Sequence, residues 1–128
     1  MSKQPETYFK EKVLKRLRTI PKSWWYKNEA GAVHGIPDVI GVVNGKFVAL
    51  ELKTEKGRVT VLQAHMITKI NMARGFADVV KPETFDRYFK IIENLSVSIP
   101  GHGLPSVDQL SDEVSLAETV MPPAKGQR

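Results

Sequence analysis

Pro37-Asp38-Val39-Ile40-Gly41-Val42-Val43-Asn44-Gly45-Lys46-Phe47-Val48-Ala49-Leu50-Glu51-Leu52-Lys53 holds two short apolar runs joined by Asn-Gly. That dipeptide between apolar runs is the strongest short-range signal for a β-hairpin, because its residues accept the positive φ angles of the turn. A two-residue turn at Asn44-Gly45 pairs Val43 with Lys46 and Val42 with Phe47, and the same register carried outward sets Asp38 opposite Glu51. Cβ atoms so placed lie about 4.5–5.5 Å apart, where two negative charges repel. A cation between them removes the repulsion. Lys53, two residues beyond Glu51, projects from the same face. One turn therefore predicts that two carboxylates and an amine converge at the far end of the hairpin.

Carboxylate oxygens are hard ligands that suit Mg²⁺ or Mn²⁺, ions that keep several waters and bind substrate phosphates. Such an ion lowers the pKa of a bound water and stabilises the charge of a phosphoryl transition state. Lys53 is placed to orient or deprotonate that water, or to neutralise the phosphate. The competing reading is a hairpin end that carries an ordinary cross-strand Glu–Lys pair. One face of the hairpin carries Asp38, Ile40, Val42, Phe47, Ala49, Glu51 and Lys53, and the other carries Val39, Val43, Val48, Leu50 and Leu52. Both are mainly apolar, so the pattern predicts a sheet covered on both sides.

Outward from the hairpin, Gln4 to Ile20 reads as a helix, with Pro5 at its start, Glu6, Phe9, Val13 and Leu17 on one stripe, and Pro21 as its stop. Ser23–Lys27 reads as a strand whose Trp24, Trp25 and Tyr26 suit sheet core better than a base-stacking platform. Thr60 opens a helix to about Arg74, with Leu62, Met66, Ile70 and Ala73 on one side and Gly75 as the C-terminal stop. Phe76–Val80 is a short strand in a strand–helix–strand order that favours a parallel crossover. Pro82 opens a last helix with Phe85, Tyr88, Phe89 and Ile92 inward. The order predicts an α/β fold, a sheet flanked by helices, over residues 1–94. Residues 95–128 form a C-terminal extension, with a weak acidic helix at 107–120 and a disordered end.

The 128 residues suit one domain, and the absence of cysteine excludes disulfides and thiolate metal sites. No apolar run approaches the roughly 18 residues of a membrane span, and the first residues lack a signal-peptide core, so a soluble intracellular protein is expected. The net charge is +5, with 12 Lys/Arg against 6 Asp/Glu in residues 1–58, 5 against 4 in residues 59–94, and 2 against 4 in residues 95–128. The basic excess lies in the part that carries the carboxylates, and reads either as the footprint of a phosphate-backbone binder or as a solvated helix face with ordinary surface lysines.

Several residues carry two readings. Glu6 is either a helix-start carboxylate favoured by the macrodipole or, being on the apolar stripe, a further metal ligand. Gln63 completes a Thr60-x-x-Gln63 capping box and could also touch phosphate or the metal water. Lys56 and Arg58, beside Gly57, are solvated charges or contacts to a nucleic-acid backbone, and His34 precedes the site in a loop as decoration or as a further such contact. His65 and His102 lack partners at metal-ligand spacing.

Gly35-Ile36-Pro37-Asp38, then Glu51-Leu52-Lys53, Gln63 and Gly75, taken together, resemble the virus-type replication–repair nuclease (VRR-NUC) domain of the PD-(D/E)xK superfamily over residues 4–94. The resemblance implies a restriction-endonuclease-like core, αβββαβ(α), with a mixed central sheet. It implies Glu6, Asp38, Glu51 and the Leu52 carbonyl oxygen as ligands of Mg²⁺ or Mn²⁺, Lys53 as the catalytic lysine and Gln63 as an accessory polar residue. Stand-alone small members resemble Holliday-junction resolvases and are homodimers. The implied function is a metal-dependent endonuclease that hydrolyses DNA phosphodiesters, with four-way junctions favoured, in a bacterial or phage-infected cytoplasm. The alternatives are a flap or restriction-like nuclease, a non-catalytic nucleic-acid-binding module on the same fold, or a small-molecule metal hydrolase.

Overall fold

The computed structural model describes residues 5–29, 33–54 and 56–97. Their elements are α1 (Pro5–Leu17), β1 (Ser23–Lys27), β2 (Val39–Val43), β3 (Lys46–Leu52), α2 (Val61–Met72), β4 (Phe76–Val80) and α3 (Phe85–Leu95). The chain divides into two units, Met1–Ser98 and Ile99–Arg128. The expected acidic helix at 107–120 lies outside the described residues.

One four-stranded sheet runs in the order β1-β2-β3-β4. β1 pairs antiparallel with β2, β2 antiparallel with β3, and β3 parallel with β4. The β3–α2–β4 passage is thus the expected parallel crossover. The β2–β3 register places Val43 against Lys46, Val42 against Phe47 and Val39 against Leu50, the pairing that the Asn44-Gly45 turn dictates. Asn44 and Gly45 take φ values of 49° and 87°, the two positive angles of a type I′ turn. The turn is also tied down. The Asn44 N–H donates to the Lys22 carbonyl at 2.8 Å, and its side-chain amide donates to the Leu95 carbonyl at the end of α3 at 3.0 Å.

The core lies on the face that carries Val39, Val43, Val48, Leu50 and Leu52, all essentially fully buried. Phe9, Val13, Leu14 and Leu17 of α1 and Phe85, Phe89 and Ile92 of α3 complete the cluster. Burial of each such side chain contributes about 1.5–3 kcal/mol. Arg16 joins the two helices. Its guanidinium lies 4.1 Å from the Phe89 ring centroid and bonds Asp86 at 2.7 Å. α1 stops at Leu17 rather than Ile20. Ile20 is nonetheless buried, drawn inward by a turn in which its N–H donates to the Leu17 carbonyl.

The opposite face meets the expectation of a sheet covered on both sides only in part: Ala49 and Glu51 on it are buried, but its β1 side is not. α2 crosses it and has no buried residue, and Val61 and Leu62 are exposed. Trp24, Tyr26, Val42 and Phe47 are 59, 49, 36 and 41% exposed. Strand alternation sends Trp25 to the core and its two neighbours outward, so only one of the three aromatic residues of β1 is core. The Trp24 and Tyr26 rings lie nearly parallel, 6.4 Å apart.

The end of α2 differs from expectation in mechanism. Arg74, not Gly75, takes the left-handed conformation, with φ 76°. The Arg74 N–H donates to the Asn71 carbonyl and the Gly75 N–H to the Ile70 carbonyl, the two bonds of a Schellman motif. Gly75 is needed for space instead, because a Cβ there would lie 2.8 Å from Ile70 Cγ2 and 3.2 Å from Phe47. Gly41 is likewise a close approach, since a Cβ would collide with the Trp24 carbonyl oxygen and the Trp25 ring. Gly41→Ala should cost at least about 2 kcal/mol in urea denaturation, because backbone and a core ring must both shift. Arg74→Gly should instead stabilise the protein by roughly 0.5–1 kcal/mol, because it relieves the left-handed strain.

Candidate active site

The site forms where β2 begins and β3 ends. Asp38 immediately precedes β2, and its carbonyl accepts the Asn28 N–H at 2.7 Å. Its side chain reaches across the hairpin end, where Oδ2 accepts the Leu52 N–H at 2.8 Å. That bond uses a ladder position beyond the last β2–β3 pair and fixes one carboxylate oxygen. Glu51 lies next to it on β3, 2% exposed, held between β2 and its parallel partner Val79 on β4. The Lys53 N–H continues the ladder to the Val80 carbonyl at 3.0 Å, and its Nζ lies 3.4 Å from Glu51 Oε2. The Lys53 stem packs against Gly57, where a Cβ would come within 3.1 Å of Lys53 Cδ.

A fourth group comes from α1. Lys10 Nζ sits 3.2 Å from the free Asp38 oxygen, Oδ1. Its sequence signal was position. Lys10 precedes Val13, Leu14 and Leu17 by three, four and seven residues, which puts it on the inward stripe of the helix. Two carboxylates and two amines therefore form a neutral quartet. The side chains of Lys10, Asp38 and Lys53 keep 17, 16 and 15% of their exposure and that of Glu51 keeps 3%, so their interactions are poorly screened.

Burial, and then the negative Asp38 beside it, push the Glu51 carboxyl up from 4.5 to about 7, against the opposing pull of Lys53. Two carboxylates in one small space resist joint ionisation. The donor set, hard oxygens whose mutual repulsion is not fully relieved, fits a divalent cation held by Asp38 and Glu51. Leu52, whose carbonyl oxygen the family resemblance offers as a ligand, enters the site here through its N–H.

Other expected site residues fall elsewhere. Glu6 is exposed at the start of α1, one turn before the buried stripe begins at Phe9, which corrects its placement on that stripe. Among the described residues, no three His, Cys, Asp or Glu side chains are gathered closely enough to hold a metal. Gln63 forms the capping box in full. Its N–H donates to Thr60 Oγ1 at 3.1 Å, and its Oε1 accepts the Thr60 N–H at 2.9 Å. His34, Lys56 and Arg58 are exposed. The loop before Asp38 packs on α2 through Gly35, where a Cβ would lie 2.6 Å from Leu62 Cγ.

No protein-family model matches the chain, and no curated protein matches it in sequence. No helix among the described residues is long and apolar enough to cross a membrane.

The raised Glu51 value makes stability pH-dependent. The folded state holds this proton more tightly than the unfolded chain does, so the group costs nothing below about pH 4.5. Its cost grows as the pH rises to about 7 and is then complete, on the order of 3 kcal/mol. In a chelator, Glu51→Gln should be more stable than the parent by about that amount at alkaline pH, with the difference vanishing toward pH 4.5. Urea denaturation across the pH range measures it, and a pH-independent difference would contradict the assignment.

Proposed function

We propose that this protein is a metal-dependent endonuclease that hydrolyses DNA phosphodiesters, built on a restriction-endonuclease-like core of the PD-(D/E)xK kind. The observation that carries the reading is the closeness of Asp38 and Glu51 at the end of one hairpin, with the Lys53 amine 3.4 Å from Glu51. The element order α, three β, α, β supports the same core.

Asp38 and Glu51 would hold Mg²⁺ or Mn²⁺, which when bound supplies an activated water and neutralises charge on the phosphate. The Leu52 N–H keeps the Asp38 carboxylate oriented, so no reorganisation is needed when substrate arrives. Lys53 restrains Glu51 and offers its charge to the phosphate. Lys10 holds Asp38 oxygen Oδ1 from the helix side and gives the site a second amine for the same work. On the strength of the family resemblance Glu6 stands as a further metal ligand and Gln63 as an accessory polar residue, and His34, Lys56 and Arg58 stand as backbone contacts by their charge and place in the chain.

Branched DNA, four-way junctions above all, is the favoured substrate, and a homodimer would present two such sites to it. A second reading is a nucleic-acid-binding module that does not cut. Lys10 favours it, because its amine already neutralises Asp38 without a metal.

Labelled four-way junction, flap and linear DNA, each with Mn²⁺ and with a chelator, decide between the two. Cutting is expected in Mn²⁺ alone. Asp38→Ala, Glu51→Ala and Lys53→Ala should each lower it by at least about a hundredfold with the fold intact by circular dichroism. If Lys53→Ala cuts as fast as the parent, the mechanism is wrong.

A further inference from the structure

A cleft of about 470 Å³ opens between the start of α1, the segment after β3 and the turn before α3. Its walls include Tyr8, Phe9 and Lys12 of α1, Thr54 and Lys56 from the segment after β3, and Glu83 from the turn before α3. Thr54 directly follows Lys53 in the chain. Its volume falls in the range of small-ligand sites, about 300–1,000 Å³, and its lining of rings with a few charged groups matches their usual chemistry.

Tyr8 is the informative residue. It is 63% exposed, while Phe9 beside it belongs to the core. Tyr8 and Lys12 also border a second depression, of about 310 Å³, that continues along α1 to Lys15. An exposed ring with an amine one helical turn away therefore stands between two hollows. Ring faces that stack bases, set among amines that meet phosphates, are the means by which proteins hold single strands. Among the described residues, the amines of Lys12, Lys15 and Lys56 line this path together with the carboxylates of Glu83 and Glu11.

We propose that the cleft binds an unpaired nucleotide of the nucleic acid, its base stacked on Tyr8 and its phosphate met by Lys12 and Lys56. A base inside a duplex is already stacked on both faces and cannot enter. Among branched substrates, the cleft therefore favours those that expose unpaired nucleotides, a four-way junction opened at its branch point included. The proposal rests on the reading of the quartet as a phosphodiester-cleaving site, and its test is separate from cleavage.

The full chain, in chelator, is titrated into a short single-stranded oligonucleotide carrying a fluorescent adenine analogue, and into the matching blunt duplex. Tyr8→Ala should weaken single-strand binding about tenfold or more and leave duplex binding unchanged. Tyr8→Phe should bind as the parent does. Lys12→Gln and Lys56→Gln should each lower the slope of log affinity against log salt by about 0.7 for the single strand. Tyr8 is exposed, so thermal unfolding of Tyr8→Ala should match the parent and exclude a folding defect. Single-strand binding by Tyr8→Ala equal to the parent's, or an equal loss on the duplex, would overturn the proposal. Absence of Mn²⁺-dependent cutting by the parent, with the Tyr8 contrast retained, would instead overturn only the nuclease reading.

Discussion

The hydrogen bond from the Leu52 N–H to Asp38 Oδ2 closes the hairpin at the end away from its turn, and the arrangement of charged groups depends on it. The turn alone fixes only the register, and with it the fact that Asp38 and Glu51 face each other. The side-chain bond takes over where the backbone ladder of β2 stops, and converts register into an oriented carboxylate. It costs no extra donor, because Leu52 would otherwise leave its N–H without a partner at that edge. With Oδ2 committed to backbone, Oδ1 is the oxygen left for a cation, and Lys10 meets it there.

The electrostatics follow from this geometry. Four charged groups share a space with little water, and their signs cancel. Glu51 bears most of the cost, since it is the most buried and has only Lys53 as a counterweight. A buried ion pair commonly stabilises less than apolar packing of the same volume would. Here the opposing face of β3 already supplies apolar burial through Val48, Leu50 and Leu52. The sheet therefore carries stability on one side and tolerates an unfavourable group on the other. The partly exposed apolar surface of Trp24, Tyr26, Val42 and Phe47 belongs to that second side as well.

The sequence revealed local geometry better than coverage. The positive-φ preference of Asn-Gly and the period of two settled the strand pairing, so the opposition of Asp38 and Glu51 and the position of Lys53 were readable in advance. Periodicity says which residues share a face, not whether another element covers it, and the exposed side of β1 and the absence of buried residues on α2 were missed for that reason. Glu6 shows the same limit at a helix end, where a continued stripe runs past the edge of the core. Lys10 was legible in principle from its spacing to Val13 and Leu17, but a lysine among other lysines on α1 carries no local mark of its partner. Arg74 took the left-handed position expected of Gly75 because packing against Phe47 and Ile70 claimed the glycine one residue later.

The cleft walls and the reacting groups come from different parts of the chain. The acids belong to a hairpin whose spacing is set by two turn residues and one amide, whereas Tyr8, Lys12 and Lys56 sit on a helix surface and a connecting segment. Drift in those outer segments leaves the distance between the acids untouched. The outer walls can thus vary without disturbing the geometry of the acids, so descendants of such a chain can reshape the rim while keeping one hinge.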